Sequence, residues 1–236
     1  NNLNKAFPNL DEKGLKKFNQ SIWKNYGRIL ADYSFIKDFR NSKLDEFIDI
    51  EGDEIISNIK KSGKPVIFIS GHFNNFELLA LILEKSGVNL SAIYRPLNNI
   101  FLNKIMVNLR KNYICKNQIP KGMPGMKLLL NLFKQGSSIA LMIDQRVSQG
   151  IKVKLFNDYA YTTTIPAQFI KKYNCDVVPL HIERYDNYYF KVIVDKPITY
   201  TKNDSIEFIT QSLNNWLEKK ILIKPDQWIW THNRWK

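Results

Sequence analysis

The chain has 236 residues, 44% of them hydrophobic, and a formal net charge of +13 from 35 Lys and Arg against 22 Asp and Glu. That length buries one substantial core as a large single domain, and the absence of an apolar run near 18 residues excludes a bilayer-spanning helix within residues 1–236. The charge favours anionic partners, whether nucleic acid, an acidic carrier protein or an anionic membrane, although a Lys-, Asn- and Ile-rich composition accounts equally well for part of it.

In chain order, apolar residues recur at helical spacing from Asp11 to about Ile36 (Leu15, Phe18, Ile22, Trp23, Tyr26, Ile29, Leu30, Tyr33), after the turn "FPNL". A second helix covers Asp53 to Lys61 and stops at "SGKP". "VIFIS", following Pro65, is a β-branched and aromatic run without polar alternation, as in a strand buried on both faces. Gly71 and His72 turn the chain, and "NNFELLALILEKSG" forms a helix ending at Gly87. The alternation continues with a strand at "LSAIY", a helix from Asn99 to Arg110, a helix "GMKLLLNLFKQG" and a buried strand "SSIALMID". A short strand "IKVKLF" comes next, then a helix to Tyr173 that starts near Thr163. "DVVPLHIER" and "YYFKVIVDKPI" read as an antiparallel pair joined through "YDN", and a last helix spans about Ser205 to Ile223. The expected fold is α/β: a mostly parallel central sheet flanked by helices, with N-terminal helices and a hairpin at one sheet edge. Neither repeats nor linkers interrupt the chain, and Cys115 and Cys175 match no metal-ligand or redox spacing.

The segment "GHFNNFE" sits where such folds bind ligands, just beyond the carboxyl end of a strand. An imidazole there takes a proton near neutral pH if a partner fixes its tautomer. Glu77, in the first turn of the following helix, is placed to accept from one ring nitrogen of His72 while the other abstracts a proton from a bound hydroxyl. Asn74 with Glu77 three residues later equally fits a capping box, and His72 a satisfied loop histidine.

"GHFNNFELLA" resembles the His-x4-Glu motif of the lipid A late acyltransferases, the lauroyl and myristoyl transferases related to glycerolipid acyltransferases. Gly71, His72, Phe73, Asn75 and Glu77 match it, and Phe76 stands where that family usually has Trp. "YRPLNN" resembles the family's Tyr-Arg-Pro block, Arg110 falls at the spacing of its later arginine, and "FKQGSSIALMIDQ" ends in its Asp-Gln pair, Asp144 and Gln145. The Thr-rich stretch before "IPAQFIKKY" and the ending "WIWTHNRWK" are also similar to the family's, so the resemblance covers essentially the whole chain.

The resemblance implies a glycerolipid-acyltransferase-like fold over residues 1–236 and transfer of a fatty acyl chain from an acyl thioester to a hydroxyl of a lipid A precursor or related glycolipid. His72 would be the general base and Glu77 its partner, with Arg95, Arg110, Asp144, Gln145 and Asn75 at the substrates. Arg110 is expected at the oxyanion or a phosphate, Arg95 at a phosphate or in local structural support, and Asp144 as the holder of one of these arginines. The donor is expected on acyl carrier protein, with no cofactor and no metal. The remaining partners would be an anionic lipid acceptor and a membrane surface, with no nucleic acid, at the cytoplasmic face of the bacterial inner membrane. The family's usual N-terminal membrane helix is not among residues 1–236. Trp228, Trp230 and Trp235, beside His232, Arg234 and Lys236, suit a membrane interface or the packed end of the fold. His181 and His232 read as structural. Two rivals stand beside this reading. One is a thioesterase-like hydrolase using the same dyad on water; the other is a basic nucleic-acid-binding protein, supported by charge alone.

Overall fold

The computed structural model describes residues 2–235. Two short strands at the chain's middle explain the rest. Strand β2 (Ile67–Ser70) is buried at every position, and β5 (Ser138–Met142) lies parallel beside it with Ile67 opposite Ile139 and Ser70 opposite Met142. Continuous apolar side chains are what a strand covered by helices on both faces requires. Around this pair a seven-stranded sheet has the order β1 (Ile48–Glu51), β9 (Tyr189–Val194), β8 (Val177–Tyr185), β2, β5, β3 (Leu90–Tyr94) and β4 (Asn117–Pro120). Every pairing is parallel except β8 with β9.

The helices are α1 (Asn2–Ala6), α2 (Glu12–Asp32), α3 (Ile36–Arg40), α4 (Asp53–Ser62), α5 (Glu77–Lys85), α6 (Ile100–Tyr113), α7 (Met123–Lys134), α8 (Ile165–Tyr173) and α9 (Ile206–Ile223). Local chemistry sets their ends. Asp11, Asn99 and Ser205 accept from the amides of Gly14, Leu102 and Phe208 and so cap α2, α6 and α9. Helix α5 buries Leu78, Leu79, Leu81, Ile82 and Leu83, nearly its whole circumference. Helix α9 buries Ile209, Leu213, Leu217 and Ile221, the three- and four-residue spacing of one packed face.

The α/β fold with a mostly parallel sheet is as expected. The antiparallel hairpin is not the edge: β9 is covered by β1, whose "IDIE" alternates half-buried with exposed. That four-residue alternation is too short to stand out from a loop, as is "NQIP" of β4, where strand-favouring Ile119 is flanked by the strand-disfavouring Asn117 and Pro120. The first long helix ends at Asp32, where a 3-10 turn at Tyr33–Phe35 re-aims the chain before α3. "YAYTT" forms β7 (Asp158–Thr162), paired antiparallel with β6 (Ile151–Leu155) through a turn with Phe156 at φ 54°.

Candidate active site

The parallel register of β2 and β5 extends past both strand ends and brings His72 beside Asp144. The His72 Nδ1 lies 2.7 Å from Asp144 Oδ1, and the His72 backbone N–H donates to Asp144 Oδ2 at 2.6 Å. The indole Nε1 of Trp228, in the C-terminal tail, donates to the same Oδ2 at 2.8 Å. Gly71 is required by this approach: a Cβ there would lie 2.8 Å from Leu217 Cδ1, 2.9 Å from Phe73 Cε2 and 3.2 Å from Asp144 Oδ2. Burial alone would push the Asp144 carboxyl up, but the charge and hydrogen bonds of His72, with Trp228, outweigh it and hold it below the usual aspartate value. An Asp144 carboxylate accepts from Nδ1–H, and the tautomer this contact favours turns its Nε2 lone pair toward the Gln145 amide.

The loop carrying His72 is stitched to the tail. Phe73 forms an antiparallel bridge with Trp228, the Asn74 amide N–H donates to Gln227 O at 2.8 Å, and Asn74 Nδ2 donates to Asn25 Oδ1 at 2.7 Å. Asn74 adopts φ 40°, a left-handed conformation that Asn tolerates better than most residues. Its carbonyl oxygen Oδ1 accepts from the Asn75 amide rather than from the helix, and α5 starts after Phe76 with no side-chain cap. The capping-box alternative is thereby corrected.

Two expected pairings are exchanged. Glu77 does not serve as the partner of His72: its Oε1 accepts from Arg110 Nε at 2.8 Å, Arg110 Nη2 at 2.5 Å and the Tyr33 hydroxyl at 3.0 Å. Asp144 does not hold an arginine; it holds the imidazole. The physical reason is register. Asp144 leaves the strand next to His72, whereas Glu77 lies five residues on, inside α5, facing α6 and the end of α2. Burial would lower the Arg110 guanidinium and Glu77 more than reverses that, whereas burial and then Glu77 push the Tyr33 phenol up.

Both carboxylate clusters border one cavity of about 390 Å³. Its lining combines polar His72, Glu77, Arg95, Arg110, Lys121, Gln145 and His232 with apolar Ala80, Ala92, Ile114, Ala140 and Leu141. The amide nitrogen of Gln145 lies 3.3 Å from His72 Nε2, and Phe76 packs edge-on against the imidazole with 4.6 Å between ring centroids. Arg95 is exposed at the rim. Asn75, expected at the substrate, is instead 2% exposed and donates through Nδ2 to Asp32 Oδ2 at 3.2 Å. Asp32 also pairs with the buried Arg184. Among the described residues no group of three or more His, Cys, Asp or Glu side chains is placed to hold a metal ion.

Sequence reasoning passed over three contributors. Tyr33 gave no signal beyond its place on an apolar helix face. His232, expected to be structural, borders the cavity, its Nε2 accepting from the Arg146 amide at 2.9 Å. Trp228 and Trp230 are 1% and 6% exposed, so they pack the fold's end rather than meet a membrane. The tail is fastened by Arg234, fully buried, which donates to Tyr161 O at 2.5 Å and Thr162 Oγ1 at 2.6 Å. Burial brings its guanidinium down to about 10.

A mostly parallel sheet thus carries a His–carboxylate pair just beyond the carboxyl ends of its central strands, bordering a cavity with both polar and apolar lining. The fold matches a crystal structure of the 1-acyl-sn-glycerophosphate acyltransferase from Thermotoga maritima at a TM-score of 0.50 and 14% identity, over 96% of this chain and 92% of that one. The profile of the bacterial lipid A biosynthesis acyltransferase family matches residues 1–236, and the chain belongs to that family. It is 22% identical to the lipid A biosynthesis lauroyltransferase of Escherichia coli K12, over 100% of this chain and 77% of that protein. It is 19% identical to the lipid A biosynthesis palmitoleoyltransferase of the same organism, over 100% and 76%. The protein is an acyltransferase enzyme.

Proposed function

We propose that the enzyme moves a fatty acyl chain from an acyl carrier protein thioester to a hydroxyl of a lipid A precursor, with His72 as general base and Asp144 as the carboxylate that orients it. The observation that carries this reading is the Nδ1–Asp144 contact of 2.7 Å, which leaves Nε2 as an acceptor bordering the cavity. The acceptor hydroxyl gives its proton to Nε2 as its oxygen bonds the thioester carbonyl carbon. The imidazolium so formed is stabilised by Asp144. Collapse of the tetrahedral intermediate breaks the C–S bond, and the leaving thiolate takes the proton back from Nε2. The Gln145 amide, 3.3 Å from Nε2, is displaced by or bonds to the incoming hydroxyl.

In this scheme Glu77 acts on Arg110 rather than on His72. A guanidinium held beside the cavity by Glu77, which Tyr33 in turn anchors, is a fixed positive group, of the kind that stabilises charge developing on the thioester oxygen. Arg95 and Lys121 border the rim, where exposed cations meet the phosphate of an anionic acceptor. The apolar lining that includes Ala80, Ala92 and Ala140 accepts acyl chain. No cofactor is invoked. A carrier-borne donor and a lipid acceptor place the reaction at the cytoplasmic face of the inner membrane.

The test is transfer of a labelled acyl group from acyl carrier protein to a lipid A precursor dispersed in detergent, with wild type and His72→Ala. Transfer by wild type that vanishes in a folded His72→Ala supports the reading. Thioester hydrolysis without transfer, sensitive to His72, would instead make water the acceptor.

A further inference from the structure

Beyond the active site, one edge of the molecule differs from the rest. From Lys85 through Ile143 the sequence has nine Lys and Arg, Lys85 included, and no Asp or Glu. This acid-free segment builds β3, α6, β4 and α7, the end of the sheet where the cavity opens beside Tyr94, Arg95 and Lys121. Helix α6 has no buried residue, and at its start Ile100, Phe101 and Ile105 are 81%, 82% and 61% exposed. Met123, at the start of α7, is also largely exposed; it follows β4, the parallel neighbour of β3, at the same end of the sheet.

Three- and four-residue spacing puts Phe101, Lys104, Ile105, Asn108 and Lys111 along one face of α6, apolar at its beginning and basic toward its end. Exposed apolar surface of this kind normally marks an interaction site. An amphipathic helix with aromatic and aliphatic residues beside Lys suits the headgroup boundary of a bilayer, and an acid-free basic surround is complementary to anionic lipid. An acidic protein partner would match the charge but leaves solitary Ile100 and Phe101 side chains, without a groove, less well explained.

We infer that the outer face of α6, with Met123 beside it, docks the enzyme on an anionic lipid bilayer so that the cavity mouth meets the membrane surface. Helix α6 lies in the boundary plane with Phe101 and Ile105 inserted, and Lys104 and Lys111 lie among lipid phosphates. A lipid acceptor then reaches Arg95 without leaving the bilayer. The functional consequence rests on the acyl-transfer reading above; the docking itself does not.

The experiment is co-sedimentation of the full chain with vesicles of phosphatidylcholine, with or without phosphatidylglycerol, alongside acyl transfer in detergent micelles. Wild type and His72→Ala should both bind the anionic vesicles strongly and the neutral ones weakly. Phe101→Ser with Ile105→Ser should lower anionic-vesicle binding about tenfold or more, yet transfer at the wild-type rate in micelles. Lys104→Ala with Lys111→Ala should narrow the difference between the two vesicle types. Unchanged binding by the Phe101/Ile105 variant, or no binding by wild type, overturns the inference. So does a variant that keeps vesicle binding but loses acyl carrier protein, which would assign the face to the carrier. Vesicle binding that depends on Phe101 and Ile105, with no transfer by wild type in micelles, would sustain docking and sink the acyl-transfer reading instead.

Discussion

The centre of the sheet and its β3–β4 edge face the same cavity but are built on opposite principles. At the centre, Asp144 is 1% exposed and its oxygens are engaged by three donors from two distant parts of the chain. At the edge, no residue of α6 is fully buried, and apart from Arg110, which Glu77 holds, its outward cations lack nearby acids in sequence. A base needs a fixed tautomer and a dry, preorganised partner, whereas a lipid-facing surface needs apolar side chains free to leave water. The two regions teach that rigid chemistry and loose docking are adjacent here because consecutive parallel strands deliver their loops to one end of the sheet.

Substitutions at the centre should therefore cost rate, and the largest effects are expected there. His72→Ala should lower transfer by about 10²–10⁴-fold with little change in melting temperature, measured by steady-state kinetics and calorimetry. Asp144→Asn should cost about 10³-fold or more in kcat for a reason of geometry. The His72 N–H and Trp228 Nε1–H both demand an acceptor at the Oδ2 position. The amide oxygen takes that place, its NH₂ faces Nδ1, and the imidazole is driven to the tautomer with hydrogen on Nε2. Trp228→Phe removes one of these donors and should cost about tenfold in kcat and about 1 kcal/mol of stability in urea unfolding.

Glu77→Gln separates the pairs in a second way. It takes the countercharge from the largely buried Arg110, so the expected loss is about 3 kcal/mol of stability. Its effect on rate should be smaller than that of Asp144→Asn, and His72 should keep its tautomer. The smallest effect is one of pH. Asp144 is held below its ordinary value of 3.8, so its stabilisation is fully present above that pH and is lost as pH falls through the lower folded-state value. The part of the stability gap between wild type and Asp144→Asn that comes from the Asp144 charge should close as pH falls below about 4, read by urea unfolding across that range.

Much of the fold was legible because buried parallel strands declare themselves: "VIFIS", "LSAIY" and "SSIALMID" each became a central strand. The short strands β1 and β4 were illegible because four residues with polar members carry no period that distinguishes them from loop. The motif residues His72, Glu77, Arg95, Arg110 and Gln145 all line one cavity, and Asp144 stands buried behind His72. Their pairing did not follow from sequence proximity. Five residues of spacing joined His72 to Glu77 on paper, but the partner came from 72 residues away because β5, not α5, runs beside β2. Trp228 and Tyr33 were hidden for the same reason: each reaches its carboxylate from a segment whose sequence pattern speaks only of packing.

The most direct measurement is the imidazole tautomer by long-range ¹H–¹⁵N correlation NMR, tractable because the chain has only 3 His and His72→Ala identifies the signal. The account predicts hydrogen on Nδ1 of His72 in wild type and in Glu77→Gln, and its transfer to Nε2 in Asp144→Asn. A tautomer that changes in Glu77→Gln but survives Asp144→Asn would contradict it and return the orienting role to Glu77.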